Sequence, residues 1–167
     1  GAGRHSLYLQ KKGLDVTGID ASPLAIKVCK LRGLKKAKVM SLTEVSKFKA
    51  ASFDTIIMMG NNFGLFGSLK RARFLLKRFH TITSPHALVI AHSTDPYKTD
   101  NSFHLQYHKF NRKRGRMPGQ LRLRIIFLKY VGDWFDYLFV SKDEMIEILK
   151  GTGWKVRRFL ESRRPSY

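Results

Sequence analysis

Gly1-Ala-Gly-Arg-His-Ser-Leu-Tyr-Leu-Gln-Lys-Lys-Gly-Leu-Asp-Val-Thr-Gly-Ile-Asp20 is the stretch that decides the fold. Two glycines open a short helix, Gly13 closes it, and the apolar strand Val16-Thr17-Gly18-Ile19 runs up to an acid. That order is the second half of a nucleotide-binding βαβ unit. Gly1 and Gly3 lack a Cβ, so a ligand can approach the backbone closely there. The helix that follows points its free N–H groups at the loop and favours an anionic or carboxylate group. Asp20 lies seventeen residues past Gly3. A carboxylate at that place can accept two hydrogen bonds from a ribose diol. The strand that feeds such a loop is not in the sequence. The chain is therefore expected to be a fragment, or to have its opening strand missing.

Working outward, Ser22-Pro23 starts a second helix, with serine as N-cap and proline pre-set for the first helical position. Ala25, Ile26, Val28 and Cys29 give it an apolar face, and Gly33 ends it. Residues 37–42 read as a strand and 43–51 as a short helix or loop. Phe53-Asp-Thr-Ile-Ile-Met-Met59 is the clearest strand, and it runs into a loop rich in glycine and asparagine. Ser68 caps a long helix in which Leu69, Ala72, Leu75, Leu76, Phe79 and Ile82 recur at helical spacing. Pro85 stops it, and residues 87–91 form another buried strand. Strands alternating with helices imply an α/β fold with a parallel sheet, helices on both faces and ligands at the strands' C-terminal ends.

Residues 92–120 break this rhythm and read as a long functional loop or lid, rich in basic and aromatic side chains. Residues 121–130 and 134–140 read as an antiparallel hairpin turning at Gly132-Asp133. Ser141-Lys-Asp-Glu144 is a capping box. Its helix ends at Gly151-Thr-Gly153, and residues 154–160 are expected as the last strand.

The bulk properties bound the answer. A chain of 167 residues with 43% hydrophobic content suits one domain with a substantial core. No apolar run reaches the ~18 residues of a membrane span, and no signal peptide is visible. Cys29 is the single cysteine, which excludes an internal disulfide framework and a cysteine-based zinc site. It reads as a small core residue in a protein of a reducing cytoplasm. Neither a metal nor a membrane partner is expected. The net charge of +20 favours a polyanion such as RNA, or reflects a generally basic proteome.

Taken together, these stretches resemble the class I S-adenosylmethionine-dependent methyltransferases. Gly1-Ala-Gly3-Arg-His is similar to the end of that family's glycine-rich first motif, and Gly18-Ile-Asp20-Ala-Ser-Pro to its second. Residues 53–63 are similar to its fourth motif, and 141–160 to its C-terminal portion. The resemblance covers nearly the whole chain and implies a Rossmann-like, doubly wound sheet in the family's order 3-2-1-4-5-7-6. Its first strand and terminal acid are absent, as is the last antiparallel strand expected after Tyr167. The piece is therefore expected to fold poorly alone. The loop Asn61-Asn62-Phe63 is not the Asn/Asp-Pro-Pro-aromatic sequence of enzymes that methylate base or glutamine amines.

The resemblance implies S-adenosyl-L-methionine as cofactor and methyl transfer to an N, O or C acceptor, a small molecule or RNA. It gives Gly1, Ala2 and Gly3 to the methionine part, Asp20 to the ribose and Ala21 to the adenine pocket. Ser41 and Leu42 are the candidates at the adenine amine. Gly60, Asn61 and Asn62 are the candidates near the methyl. His92, Tyr107 and Tyr137 are candidate bases or orienters, beside Asp95, His104 and His108. The basic, aromatic segment within the inserted stretch 92–140 could hold RNA by phosphate pairing and stacking, or cover an acidic small molecule. Two other readings stay open. One is a nicotinamide-dependent oxidoreductase, although Ser6 stands where Gly-x-Gly-x-x-Gly wants glycine or alanine. The other is a basic nucleic-acid-binding module on the same fold.

Overall fold

The computed structural model describes residues 1–161. They divide into two compact units, Gly1–Phe48 and the residues from Lys49 onward. In the first unit α1 spans Arg4–Lys11, β1 Thr17–Asp20, α2 Pro23–Leu31 and β2 Lys36–Val39, followed by a 3-10 helix, Leu42–Lys47. The local chemistry accounts for these boundaries. Gly3 precedes α1 at φ +77°, in the left-handed region that favours glycine. Ser22 Oγ accepts from the Ala25 N–H at 3.3 Å and caps α2, with Pro23 as its first residue. β1 and β2 pair in parallel, with Asp20 opposite Val39. The core of this unit is Ile26, Cys29, Leu34 and Val45, so Cys29 is buried as the helix pattern predicts.

In the second unit β3 spans Phe53–Met58, α3 Leu69–Ile82 and β4 Thr83–Ala91, with a 3-10 helix at Asn62–Phe66 after β3. Ser68 caps α3 through the Arg71 N–H at 3.3 Å. Ala72, Leu75, Leu76, Phe79 and Ile82 are its buried residues, matching the periodic stripe. Burying one such leucine or phenylalanine contributes roughly 1.5–3 kcal/mol. Phe66 is fully enclosed, with its ring centroid 5.0 Å from Phe63 and 5.7 Å from Phe79. β3 and β4 are parallel, as expected. β4 begins at Thr83, directly after α3, rather than at residue 87. Pro85 sits within it, inside the register shift that follows the Phe53–Thr83 pair. Proline has no N–H for a ladder and is tolerated at such an irregularity.

The rest of the unit corrects three expectations. The stretch 92–120 is not a structureless lid: it contains α4, Ser102–Lys113, capped by Asn101. The helical pattern is obscured because the buried residues of α4 are polar, His108 and Asn111. Asn111 Nδ2 donates to the carbonyls of Pro118 and Gln120 at 3.0 and 2.7 Å, which turns the chain back after the helix.

The hairpin is nested. β5, Gln120–Leu123, pairs antiparallel with β8, Phe135–Leu138, while β6, Ile126–Phe127, pairs with β7, Tyr130–Val131. The reversal falls at Leu128-Lys129, not at Gly132-Asp133, and Leu128 adopts φ +53° to make it. Gly132 instead closes the base of the inner hairpin, its N–H donating to the Ile125 carbonyl at 2.9 Å.

After α5, Lys142–Leu149, residues 154–160 form no strand. A strand needs a ladder partner, and none of the described strands pairs with this segment. Trp154 anchors the segment by donating its Nε1–H to the Leu76 carbonyl at 2.9 Å. Residues 163–167, which lead toward the last antiparallel strand expected after Tyr167, lie outside the described residues. The parallel sheet is present as two separate pairs, β1-β2 and β3-β4. The fold is mixed α/β, with parallel N-terminal pairs and antiparallel C-terminal ones.

Candidate functional site

In the first unit the glycine loop is fastened to α2. Cys29 Sγ donates to the Gly1 carbonyl at 3.2 Å, and an Arg32 guanidinium N–H donates to the Ala2 carbonyl at 2.6 Å. A Cβ on Gly3 would lie 3.0 Å from Cys29 Sγ. Gly3 is thus required both by its backbone conformation and by this contact. The cysteine read as a core residue also holds the loop, a role its type and position alone did not reveal.

Asp20 stands at the C-terminal end of β1 and touches the same loop. Its Oδ1 accepts from the Ser22 N–H at 2.8 Å, and its Oδ2 pairs with the chain-terminal ammonium of Gly1. A carboxylate has about four acceptor positions, so about two stay open for a pair of hydroxyls. The side chain is 26% exposed, buried enough to be oriented and open enough to be reached. Ala21, next in the chain, is exposed.

The parallel register brings Ser41 and Leu42 to the same end of the pair as Asp20, with the Met40 N–H donating to the Asp20 carbonyl at 3.0 Å. Ser41, however, is the N-cap of the following 3-10 helix. Its Oγ accepts from the Thr43 N–H at 3.3 Å, and its own N–H donates to Glu44 Oε2 at 2.9 Å. The Ser41-x-x-Glu44 capping box was readable in the sequence. Lys47 pairs with Glu44 and, with the backbone bond at Ser41, holds its carboxyl below the usual range.

In the second unit the site candidates converge on Asn61. Gly60 and Asn61 both take left-handed backbone, φ +66° and +61°, and reverse the chain after β3. The Asn61 N–H donates to His92 Nδ1 at 3.1 Å, and its Oδ1 accepts from Thr94 Oγ1 at 2.8 Å. Its carbonyl accepts from the Tyr137 hydroxyl at 2.5 Å. One residue therefore ties the ends of β3 and β4 to β8. Asn62 is exposed and makes no side-chain hydrogen bond among the described residues. Because His92 Nδ1 accepts, the proton of the neutral ring sits on Nε2. Burial raises the Tyr137 phenol above its ordinary range. Tyr137 is thus a donor here, and the bare nitrogen of His92 is already engaged. Tyr107, the third candidate, is not joined to them: it lies half-buried on α4 with its ring 6.2 Å from Phe110.

A second polar cluster brings the candidate His108 together with Tyr97 and Glu144, neither of which the sequence marked as a site residue. The Tyr97 hydroxyl donates to Glu144 Oε1 at 2.6 Å, and its ring meets His108 edge-on at 5.7 Å. Burial and the neighbouring carboxylate push the Tyr97 phenol up to about 12. Burial, with Arg112 and His104 nearby, lowers the affinity of His108 for a proton. Asp95 caps a turn through the Tyr97 N–H at 2.9 Å, and His104 Nδ1 is 2.9 Å from Thr99 Oγ1. No group of three metal-ligating side chains occurs among the described residues. No helix among them is long and apolar enough to cross a membrane.

A family profile described as "Methyltransferase domain" matches residues 1–91. That is over half of the chain, and the chain belongs to this family, the class I S-adenosylmethionine-dependent methyltransferases. No curated protein matches it significantly. Among solved structures it is similar to an S-adenosylmethionine-dependent methyltransferase from Bacteroides fragilis in complex with S-adenosyl-L-homocysteine. The identity is 28% and the TM-score 0.78, over 98% of this chain and 65% of that one. The chain thus spans just under two thirds of that structure's length. A methyltransferase from Methanosarcina mazei aligns at 20% identity and TM-score 0.71, over 91% of this chain and 74% of that one. A protein from Pyrococcus horikoshii aligns at 18% identity and TM-score 0.56, over 90% of this chain and 68% of that one. These last two speak to the fold alone.

Proposed function

We propose that the protein is an S-adenosylmethionine-dependent methyltransferase, acting on an N, O or C acceptor that is a small molecule or RNA. The observation that carries the reading is Asp20: a carboxylate at a strand end, oriented by the Ser22 N–H, open to solvent and with acceptor positions left free. The Bacteroides structure, which holds S-adenosyl-L-homocysteine, supports the same cofactor here. Bound, S-adenosylmethionine supplies a methyl group already activated on a sulfonium.

Asp20 would hold the ribose, Gly1, Ala2 and Gly3 would meet the methionine part, and Ala21 and Leu42 would line the adenine. We assign Ser41 to that pocket through its backbone, since its hydroxyl caps a helix. Gly60, Asn61 and Asn62 are assigned to the neighbourhood of the methyl. Residues 92–140 are assigned to the acceptor side of a single methyltransferase domain. His92 and Tyr137 act as positioning residues: both hold Asn61 in its left-handed turn. Orientation alone can supply roughly 7–11 kcal/mol in well-aligned systems, so this assignment needs no strong base. The test is titration with S-adenosylhomocysteine, comparing the protein with Asp20→Ala. Binding that survives the substitution unchanged would overturn the assignment of Asp20.

A further inference from the structure

The helix α4 is turned inside out. Its buried residues are His108 and Asn111, while Phe103 and Phe110 are 77% and 51% exposed. Phe103, Tyr107, Phe110 and Arg114 recur every three or four residues, which sets them along one side of the helix. The rings of Tyr107 and Phe110 lie 6.2 Å apart, and the Arg114 guanidinium lies 4.8 Å from the centre of the Phe110 ring. Lys109 and Lys113, one turn apart, are exposed on the same helix. Between Asp100 and Asp133 the chain holds eight lysines and arginines and no acid. None of the eight forms an ion pair among the described residues.

We infer that this face of α4 is a binding surface for a single-stranded polynucleotide. Exposed aromatic rings stack on unpaired bases, which all present a π-face, and cations beside them neutralise the phosphates. A row of rings over a helix about 18 Å long spans several nucleotides. A second copy of this chain fits the aromatic stripe less well, because the adjoining cations repel a partner of the same net charge. Neither the rings nor the cations read a 2′-hydroxyl, so RNA and DNA share this chemistry. The surface is independent of the cofactor reading, since it uses none of the residues assigned to the cofactor.

The test is fluorescence anisotropy of labelled 16-nucleotide single-stranded RNA, single-stranded DNA and duplex DNA, with the complete protein at several salt concentrations. Binding of either single strand in preference to the duplex supports the surface, and the better of the two identifies the natural strand. Affinity falls with salt, and Lys109→Gln with Lys113→Gln flattens the slope by roughly 0.7 per cation removed. Phe103→Ala with Phe110→Ala weakens binding by about tenfold at constant salt slope. Circular dichroism checks that these exposed substitutions keep the fold. Absence of binding, equal binding of duplex, or aromatic variants that bind like the parent would each overturn the inference.

Discussion

The Tyr137 hydroxyl donates to the backbone carbonyl of Asn61 at 2.5 Å, across 76 residues of sequence. Asn61 needs the help, because a non-glycine residue at φ +61° is uncommon. Tyr137→Phe removes the donor from a half-buried carbonyl and is expected to lower unfolding stability by about 1 kcal/mol. At Asn61 itself, alanine should destabilise more than glycine, because glycine occupies left-handed backbone without steric cost. Urea unfolding of the three variants checks both statements. Equal stability of the glycine and alanine variants would remove the backbone argument.

Gly64 lies under the same tyrosine. A Cβ there would sit 2.3 Å from Tyr137 Cε1, and no ring carbon can yield that much without moving. Gly64→Ala is expected to cost about 1–3 kcal/mol, the usual range for overpacking. Combining it with Tyr137→Leu should make the two changes less than additive. Additive losses in the double-mutant cycle would show that the ring is not the obstacle.

The glycine loop gives a matching test in the first unit. Gly3→Ala is expected to lower stability by about 1–2 kcal/mol from its left-handed backbone, with an added penalty from the Cys29 contact. Cys29→Ala in the same chain should recover only that added part. Thermal unfolding of the single and double variants separates the two contributions, and full recovery would assign the whole loss to the contact.

Tyr97 sets an alkaline limit. Its folded phenol is pushed up to about 12, above the ordinary value near 10 of an unfolded chain. Between those values the unfolded state has released a proton that the folded state retains, so stability falls as pH rises. The contribution is fully present below about pH 10. Tyr97→Phe should flatten this part of the profile relative to the parent, as measured by urea unfolding from pH 9 to 12. An unchanged slope would contradict the environment described for Tyr97.

Much of the fold was legible because its local signals agree with its packing. Ser22-Pro23 caps α2, the stripe from Ala72 to Ile82 faces the core of α3, and Ser141 with Glu144 closes a capping box on α5. α4 escaped because helix recognition relies on an apolar buried face, and this helix buries His108 and Asn111. The hairpin turn escaped because Leu128 has none of the residue chemistry that announces positive φ. At the site, Asp20 and the glycine loop were readable from spacing. The convergence of His92, Thr94 and Tyr137 on Asn61 was not, since long-range contacts leave no periodic trace. Ser41 shows a different failure: its capping role was written in Glu44, three residues on.

Asp20 and the glycine loop are proposed to hold S-adenosylmethionine. Calorimetric titration of the complete protein with S-adenosylhomocysteine, and separately with NADH, tests this most directly. One site for S-adenosylhomocysteine is expected, none for NADH, and loss of the heat in Asp20→Ala while the fold is retained. Binding of NADH alone, or of neither ligand by a folded protein, would contradict the proposal.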